Sequence, residues 1–363
     1  MAREFSAFDK IAMARALELA QRGAATTQPN PRVGCVIARD GQVVGEGWHE
    51  RPGEAHAEVA ALAAAGAAAA GATAYVNLEP CSHFGRTPPC ADALIQARIK
   101  RVVFAGLDPN PLVGGEGAER LRAAGIEVEC GLLAAEAEEL NLGFLTRMRR
   151  GRPWVRVKLG MSLDGRTALA NGVSQWITGE AARSDVQQWR ARSSAILTGI
   201  GTILADDPRL DVREGAAQRQ PLRVVLDSRL RTPPEARVLK KPGDALVFTA
   251  LDDPQKSGVL ERHGARVERL AQERIDLGAV LARLAALQMN DVLVEAGPTL
   301  AGAFVRSSLV DELLLYIAPV LLGRTARALM ELPELADLKN ASRFTMMDAR
   351  AIGDDLRLLL RPR

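Results

Sequence analysis

Two α/β domains of different design, joined in one chain, are what this sequence predicts. Three observations carry the prediction. The chain has 363 residues, which suits two units of roughly 150 to 200 residues better than one. In both halves, short β-branched runs alternate with segments of three-and-four apolar spacing, the pattern of a sheet covered by helices. No internal repeat relates the halves, so they are two folds rather than a duplication.

In order, Phe8, Ile11, Ala12, Ala16, Leu19 and Ala20 fall on one helical face, with Ser6 placed to cap its start. Strands at 33–38 and 42–47 flank Asp40-Gly41, a strong hairpin signal. Residues 59–78 carry no charge, long enough to raise a membrane span. They are mostly Ala with Gly66 and Gly71 inside, so they read as an Ala-rich helix from His56, a glycine turn and a buried strand running to Glu79. Helix, strand (101–106), helix, strand (126–130) and a helix to Arg147 complete the first half. The run RMRRGRP is basic and broken by Gly and Pro, which reads as a solvated linker at 148–153 between domains 1–147 and 154–363. The second half restarts with a strand at 154–160 and a helix over 179–192. Strands at 195–199, 223–227 and 291–297 follow, then a helix after Pro298 and the apolar run 313–322, which suits a core strand or an interface equally.

Composition narrows the function. Hydrophobic residues make up 47% and charged residues 25%, the balance of a globular protein. A net charge of +3 and only 4% aromatic residues fall short of the basic, aromatic-studded surface of a nucleic-acid binder. Residues 1–23 lack the charged and apolar segments of a signal peptide, so a cytoplasmic location is expected. Four cysteines in so long a chain make no disulfide framework. Cys35 and Cys130 read as buried free thiols.

The other two cysteines carry chemistry. His56 and Glu58 open a helix, Cys81 follows a strand end and Cys90 opens another helix. His56, Cys81 and Cys90 supply the three protein ligands of a catalytic zinc site, leaving the fourth position for water. Two thiolates balance the metal's charge, and Glu58 at the helix start reaches that water as proton carrier. HAE, EPC and PPC in this order match the zinc deaminases. His83, between the cysteines, is a substrate contact, a fourth ligand or a packing residue.

The usual deaminase pattern closes with PCxxC, whereas here eight residues separate Cys81 from Cys90. That run, EPCSHFGRTPPC, with PNPRVG at 29–34, GEAHAEV at 53–59 and DPNP at 108–111, resembles the bifunctional riboflavin-biosynthesis deaminase/reductase family. LGMSLDGRTA, SQWITG, ILTGIGTILADDPRL and VEAGPTLAGAF extend the resemblance over the second half. The resemblance implies a cytidine-deaminase-like three-layer α/β domain fused to a dihydrofolate-reductase-like α/β domain. It also implies zinc, NADPH, a small phosphorylated pyrimidine substrate and a homodimer or higher homo-oligomer through the second domain.

It implies residues as well. Asn30, His49, His83, Arg86, Asp108 and Asn110 should line the deaminase pocket. Arg86 stands where some relatives are expected to carry Lys. Gly160, Trp176, Thr202, Asp206, Ser228 and the stretch Gly297, Pro298, Thr299, Leu300, Ala301, Gly302 and Ala303 should contact NADPH. Ser174, Arg190, Leu210, Arg213 and Glu295 should contact the reductase substrate, with Lys158 beside them. From the residues alone, VEAGPTLAG runs a strand into a helix, aiming amides at a phosphate. GIGT at 199–202 reads as a second glycine-rich turn. Neither is the GxGxxG fingerprint, so a Rossmann fold is not supported. Two rival readings remain: a polynucleotide-editing zinc deaminase with an RNA-binding second domain, and a zinc-stabilised non-enzymatic scaffold.

Overall fold

The computed structural model describes residues 4–82, 88–110, 114–213, 219–270 and 274–363. It divides into two compact units, Met1–Gly151 and Arg152–Arg363.

The first unit contains α1 (Ala7–Gln21), β1 (Gly34–Arg39), β2 (Gln42–Trp48), α2 (Ala57–Ala65), β3 (Thr73–Val76), α3 (Cys90–Gln96), β4 (Arg101–Phe104), α4 (Glu116–Ala123), β5 (Glu127–Cys130), α5 (Ala134–Leu140) and α6 (Leu142–Arg150). Its sheet runs β2-β1-β3-β4-β5; β1 is antiparallel to both neighbours, and β3, β4 and β5 are parallel. Side chains alternate across the strands, which makes three layers. Cys35, Ile37, Ala74, Val76, Val102 and Phe104 face α2, α3 and α4, while Val36, Tyr75 and Val103 face α1 and α5. Ser6 and Asp9 form a reciprocal capping box at α1. Ile11, expected on its buried face, is 65% exposed, because the helix turns Met13 and Leu17 inward instead.

The stretch 59–78 is α2, a 3₁₀ turn at Gly66–Ala69 and β3, and no helix among the described residues is long and apolar enough to cross a membrane. Alanine there has a structural reason. A Cβ on Gly45 or Gly47 would lie 2.3 Å from Ala61 O or 2.5 Å from Ala57 O, so α2 rests almost backbone-to-backbone on β2. Only small side chains allow that approach, and it presses the start of α2 against the sheet.

The expected linker is corrected. Helix α6 continues through Arg150 and ends on Gly151 in the left-handed conformation. Its arginines are engaged: Arg147 donates to Pro29 O at 3.2 Å and Arg149 pairs with Glu138. Arg152 grips both oxygens of Asp311, at 2.5 and 2.7 Å, and Asp311 also accepts from Val155 N.

The second unit contains β6 (Trp154–Ser162), β7 (Arg166–Ala168), α7 (Glu180–Arg192), β8 (Ala195–Gly199), α8 (Ile200–Asp206), β9 (Leu222–Leu226), β10 (Ala245–Thr249), α9 (Pro254–Arg262), β11 (Ala265–Arg269), α10 (Leu277–Ala286), β12 (Asp291–Glu295), α11 (Pro298–Arg306), β13 (Glu312–Ala318), β14 (Arg327–Ala328), β15 (Phe344–Ile352) and β16 (Asp355–Pro362). The main sheet runs β11-β10-β9-β8-β12-β6-β13-β16-β15, parallel as far as β13 and then antiparallel. Buried Val, Leu and Phe fill both faces, each full burial contributing about 1.5–3 kcal/mol. Of the apolar run from 313, the part in β13 is a core strand between β6 and β16, whereas Val320 and Leu321 beyond it are exposed.

Candidate active sites

In the first unit the metal-binding side chains converge from three segments. His56 is the N-cap of α2, Cys81 follows β3 by five residues, and Cys90 is the first residue of α3. His56 Nδ1 stands 3.2 Å from Cys90 Sγ and 3.6 Å from Cys81 Sγ, and the three donor atoms lie within 4.8 Å of one another. Tetrahedral zinc with ordinary Zn–N and Zn–S lengths spaces such donors by about 3.5 Å, so the set fits the metal. The segment is braced: Cys90 N donates to Cys81 Sγ at 3.3 Å and Ala91 N to Cys81 O at 3.1 Å. The hydrogen bond from Cys90 and the neighbouring His56 push the Cys81 thiol down, while that bond and burial push the Cys90 thiol up.

Glu58 is 3% exposed. Burial, then the neighbouring Cys81 charge, raises its carboxyl to about 7. His49 is also buried, its ring 5.2 Å from that of His56 and edge-on. Its Nδ1–H donates to Ala55 O at 3.1 Å, a carbonyl that can only accept, so Nε2 accepts from Asn30 Nδ2 at 3.0 Å. Burial lowers the His49 pKa and keeps this neutral tautomer. The structure thus joins Asn30 to His49. It places Asp108 and Asn110 in the segment after β4, where Asn110 N donates to Asp108 Oδ1 at 2.9 Å. His83 and Arg86 lie outside the described residues. Cys35 is buried as expected, but Cys130 is exposed: β5 is an edge strand, and its last residue has no layer over it.

Several residues escaped sequence reasoning. Asn77 accepts from Gly34 N and donates to Arg32 O, and Asn141 pairs with both Arg32 N and Arg32 O. Together they fix the loop that carries Asn30. Glu79, buried, accepts backbone N–H groups from Asp108, Gly115 and Ala118. A polar residue at a strand end bounded by Pro is the one signal that could have pointed to it.

In the second unit, the expected cofactor residues gather at the carboxyl ends of four adjacent parallel strands. Ser228 follows β9, Thr202 and Asp206 lie on α8 after β8, Gly297 follows β12, and Gly160 lies near the end of β6. Ligands of open α/β sheets bind in this crevice. Helices α8 and α11 both start here from glycine N-caps, Gly199 and Gly297, with no capping side chain. Bare helix starts suit the phosphates of a dinucleotide, so the residues fit the cofactor.

One expectation needs correction, and three of the expected contact residues are buried. GIGT is no turn: it is the N-cap and first turn of α8. Ala301 and Gly302 face inward, Ala301 into the core and Gly302 against Glu331, whose O would lie 2.2 Å from an added Cβ. Pro298 has no N–H, so Thr299 and Leu300 are the amides α11 presents. Leu210 is 3% exposed, its side chain in the core cluster that includes Val186 and Trp189.

Arg190 on α7 grips both oxygens of Glu295 at 2.7 and 2.9 Å and donates to Asp211 O at 3.1 Å. Lys158 is the β-register partner of Glu295 and lies 5.8 Å over the Tyr316 ring. Burial lowers the Lys158 pKa, with Glu295 opposing it; burial raises Glu295, but Arg190 and Lys158 outweigh that and hold it ionised. Tyr316 in turn donates to Asp185 at 2.6 Å, a carboxylate also held by Arg357 and Trp189, another set not read from sequence. Arg213 N donates to Gln187, and its half-exposed side chain stands 3.8 Å from buried Asp211 Oδ1. Ser174 is half-buried, and Trp176 is 69% exposed with Arg183 4.7 Å over its ring.

A three-layer unit holding a His-Cys-Cys metal site, joined to a parallel-sheet unit with a nucleotide crevice and a buried Lys-Glu-Arg set, defines a zinc-dependent deaminase fused to a reductase. The family profile of the cytidine and deoxycytidylate deaminase zinc-binding region matches residues 6–106, and that of the RibD C-terminal domain matches residues 153–358. The chain is 52% identical to the riboflavin biosynthesis protein RibD of Escherichia coli, covering 97% of this chain and 99% of that one. It is 47% identical to RibD of Haemophilus influenzae over 99% of both. Among solved structures, form 1 of Acinetobacter baumannii RibD superposes with a TM-score of 0.92 at 47% identity, covering 98% of this chain and 99% of that one. A diaminohydroxyphosphoribosylaminopyrimidine deaminase/5-amino-6-(5-phosphoribosylamino)uracil reductase from Thermotoga maritima superposes at 0.87 and 32% identity, with the same coverage. The chain belongs to the RibD family of bifunctional zinc- and NADPH-dependent enzymes of riboflavin biosynthesis. The RNA-binding and scaffold readings fall, since the second unit matches a reductase family along nearly its whole length.

Proposed function

We infer that the unit to Gly151 deaminates 2,5-diamino-6-ribosylamino-4(3H)-pyrimidinone 5′-phosphate and that the unit from Arg152 then reduces the ribosyl side chain to ribityl. The observation that carries the reading is the convergence of His56, Cys81 and Cys90 beside the buried Glu58 carboxyl, in a chain whose other unit is of the RibD reductase family.

Zinc held by His56, Cys81 and Cys90 supplies the Lewis acidity that makes water nucleophilic at neutral pH. Glu58 takes a proton from the attacking water and hands it to the departing amine, a role suited to a carboxyl whose burial brings it near neutrality. Asn30 and His49, locked to each other, orient the pyrimidine, with Asp108 and Asn110 closing the pocket from another loop. In the second unit NADPH supplies hydride. The ring-opened ribose, as an imine, takes hydride at carbon and a proton at nitrogen, with Lys158 providing the proton and the ionised Glu295 beside it favouring the Lys158 ammonium. Arg213 and Ser174 hold the sugar phosphate, an arginine fork matching its oxygens, while Arg190 contacts the substrate from beside the Glu295 that it grips. The zinc thiolates need a reducing compartment, which supports a cytoplasmic location. Association through the second unit is part of the same reading.

The test follows ammonia release from the aminopyrimidine ribosyl phosphate with and without NADPH. Ammonia without NADPH, and NADPH oxidation only after deamination, are expected. No ammonia from zinc-replete protein would overturn the substrate. Hydride transfer unchanged after replacing both Lys158 and Glu295 would overturn their role.

A further inference from the structure

We propose that Glu79 is a positioning residue for deamination: from the segment that carries Cys81, it caps α4 and thereby sets Asp108 and Asn110 against the substrate. The proposal rests on the reading of Asp108 and Asn110 as substrate contacts.

Glu79 lies two residues before Cys81 and is 3% exposed. Its own N–H donates to Gly106 O at 2.9 Å. Its carboxylate accepts from Asp108 N at 3.3 Å and Gly115 N at 3.1 Å on one oxygen, and from Ala118 N at 3.0 Å on the other. One residue therefore pins both ends of the segment 106–118. Helix α4 needs such a cap. Its N-cap is Gly115, left-handed at φ 93° and without a side-chain oxygen, so its first amides would otherwise be orphaned. A carboxylate at a helix start also gains from the helix dipole, and charge-assisted bonds are the stronger kind.

A second observation points the same way. A Cβ on Gly117 would lie 1.9 Å from Pro80 O, so α4 sits directly on the metal-ligand segment. Arg120 adds a bond to Ser82 O at 3.3 Å and an ion pair with Asp92, on the helix that Cys90 begins, at 2.6 Å. What lies between the pinned ends is the stretch with Asp108 and Asn110, and Gly114 N closes back onto Asn110 O at 3.0 Å. The metal-ligand segment and the backbone that carries these two residues are thus held in one frame, with Glu79 as the joint.

Steady-state ammonia release by the full-length, zinc-loaded chain tests this in Glu79→Gln, Glu79→Asp and Asn110→Ala. Glu79→Gln keeps shape but turns an N–H₂ toward at least one backbone N–H. We expect KM for the aminopyrimidine to rise about tenfold in Glu79→Gln, with kcat within about twofold. Zinc content by metal analysis and NADPH oxidation on deaminated substrate should not change. Glu79→Asp keeps the charge but shortens the reach to the α4 amides and should repeat that signature; it serves alone if Glu79→Gln does not fold. An unchanged KM in Glu79→Gln while Asn110→Ala raises it overturns the positioning role. So does a fall in zinc content or kcat at constant KM, which would make Glu79 a support of the metal segment. If Asn110→Ala itself leaves KM unchanged, the substrate reading of the loop falls first, and the proposal with it.

Discussion

Replacing Arg190 by Met tests the buried charge set of the second unit. Arg190 and Glu295 are each 11% exposed, joined by two parallel bonds at 2.7 and 2.9 Å, and a third N–H satisfies Asp211 O at 3.1 Å. Methionine keeps much of the stem but leaves a buried carboxylate with the weaker influences of Lys158 and Arg213, and a carbonyl without its donor. Breaking a buried pair from one side costs about 3–5 kcal/mol. At about 2–4 °C per kcal/mol for a unit of this size, the melting temperature should fall by about 10 °C. The penalty has a sign in pH. With Arg190 gone, burial raises the Glu295 pKa above its unfolded value, so the neutral form is favoured in the fold and the loss grows as pH rises. Tryptophan fluorescence reads this unit selectively, because Trp154, Trp176 and Trp189 belong to it and only Trp48 to the other. The double variant Arg190→Met/Glu295→Leu should regain more than half of the loss. A single-variant shift under about 2 °C, or losses that simply add in the double variant, would mean that solvent already screens the pair and would refute the reasoning.

Glu58→Gln should lower deamination by about 10²–10⁴-fold while zinc content and NADPH oxidation on deaminated substrate stay unchanged; comparable ammonia release would remove Glu58 from proton transfer. Chelation should abolish ammonia release, spare the reductase step and be reversed by zinc, and loss of both activities together would show the metal to be needed beyond the first unit. Asp9 is buried, yet its bonds from Arg101 and Tyr75 overcome burial and hold its pKa well below the usual carboxylate range. Its contribution is therefore present above about pH 4 and lost as pH falls below it. In acid titrations of first-unit stability, Asp9→Asn should lack that portion of the loss; an unaltered curve would assign acid lability to other groups.

Much of this was legible from local order. Asp40-Gly41 dictated a hairpin because few other pairs accept two positive φ angles in succession, and both residues adopt them, at 50° and 75°. The pairing of HAE with EPC and PPC announced a zinc site because metal ligation restricts residue type and spacing severely. Strand order, by contrast, was hidden: β12 inserts between β8 and β6, and nothing within 291–295 names its neighbours.

The sequence by itself determined which residues have the chemistry: the imidazole, two thiols and carboxyl of the metal site, the Lys, Glu and Arg of the second, and the glycines where a side chain would not fit. Only the tertiary structure decided who works with whom. Glu79 caps a helix that begins 37 residues later, so no window of sequence contains both the orphan amides and their acceptor. Leu210, Ala301 and Gly302 turned inward for the same kind of reason, since which face of a segment meets the core is set by the layer laid over it. The arginines of 147–152 read as a solvated run because their partners, Pro29, Glu138 and Asp311, lie elsewhere in the chain. Charge and polarity are local properties of a chain, but their satisfaction is a property of the fold.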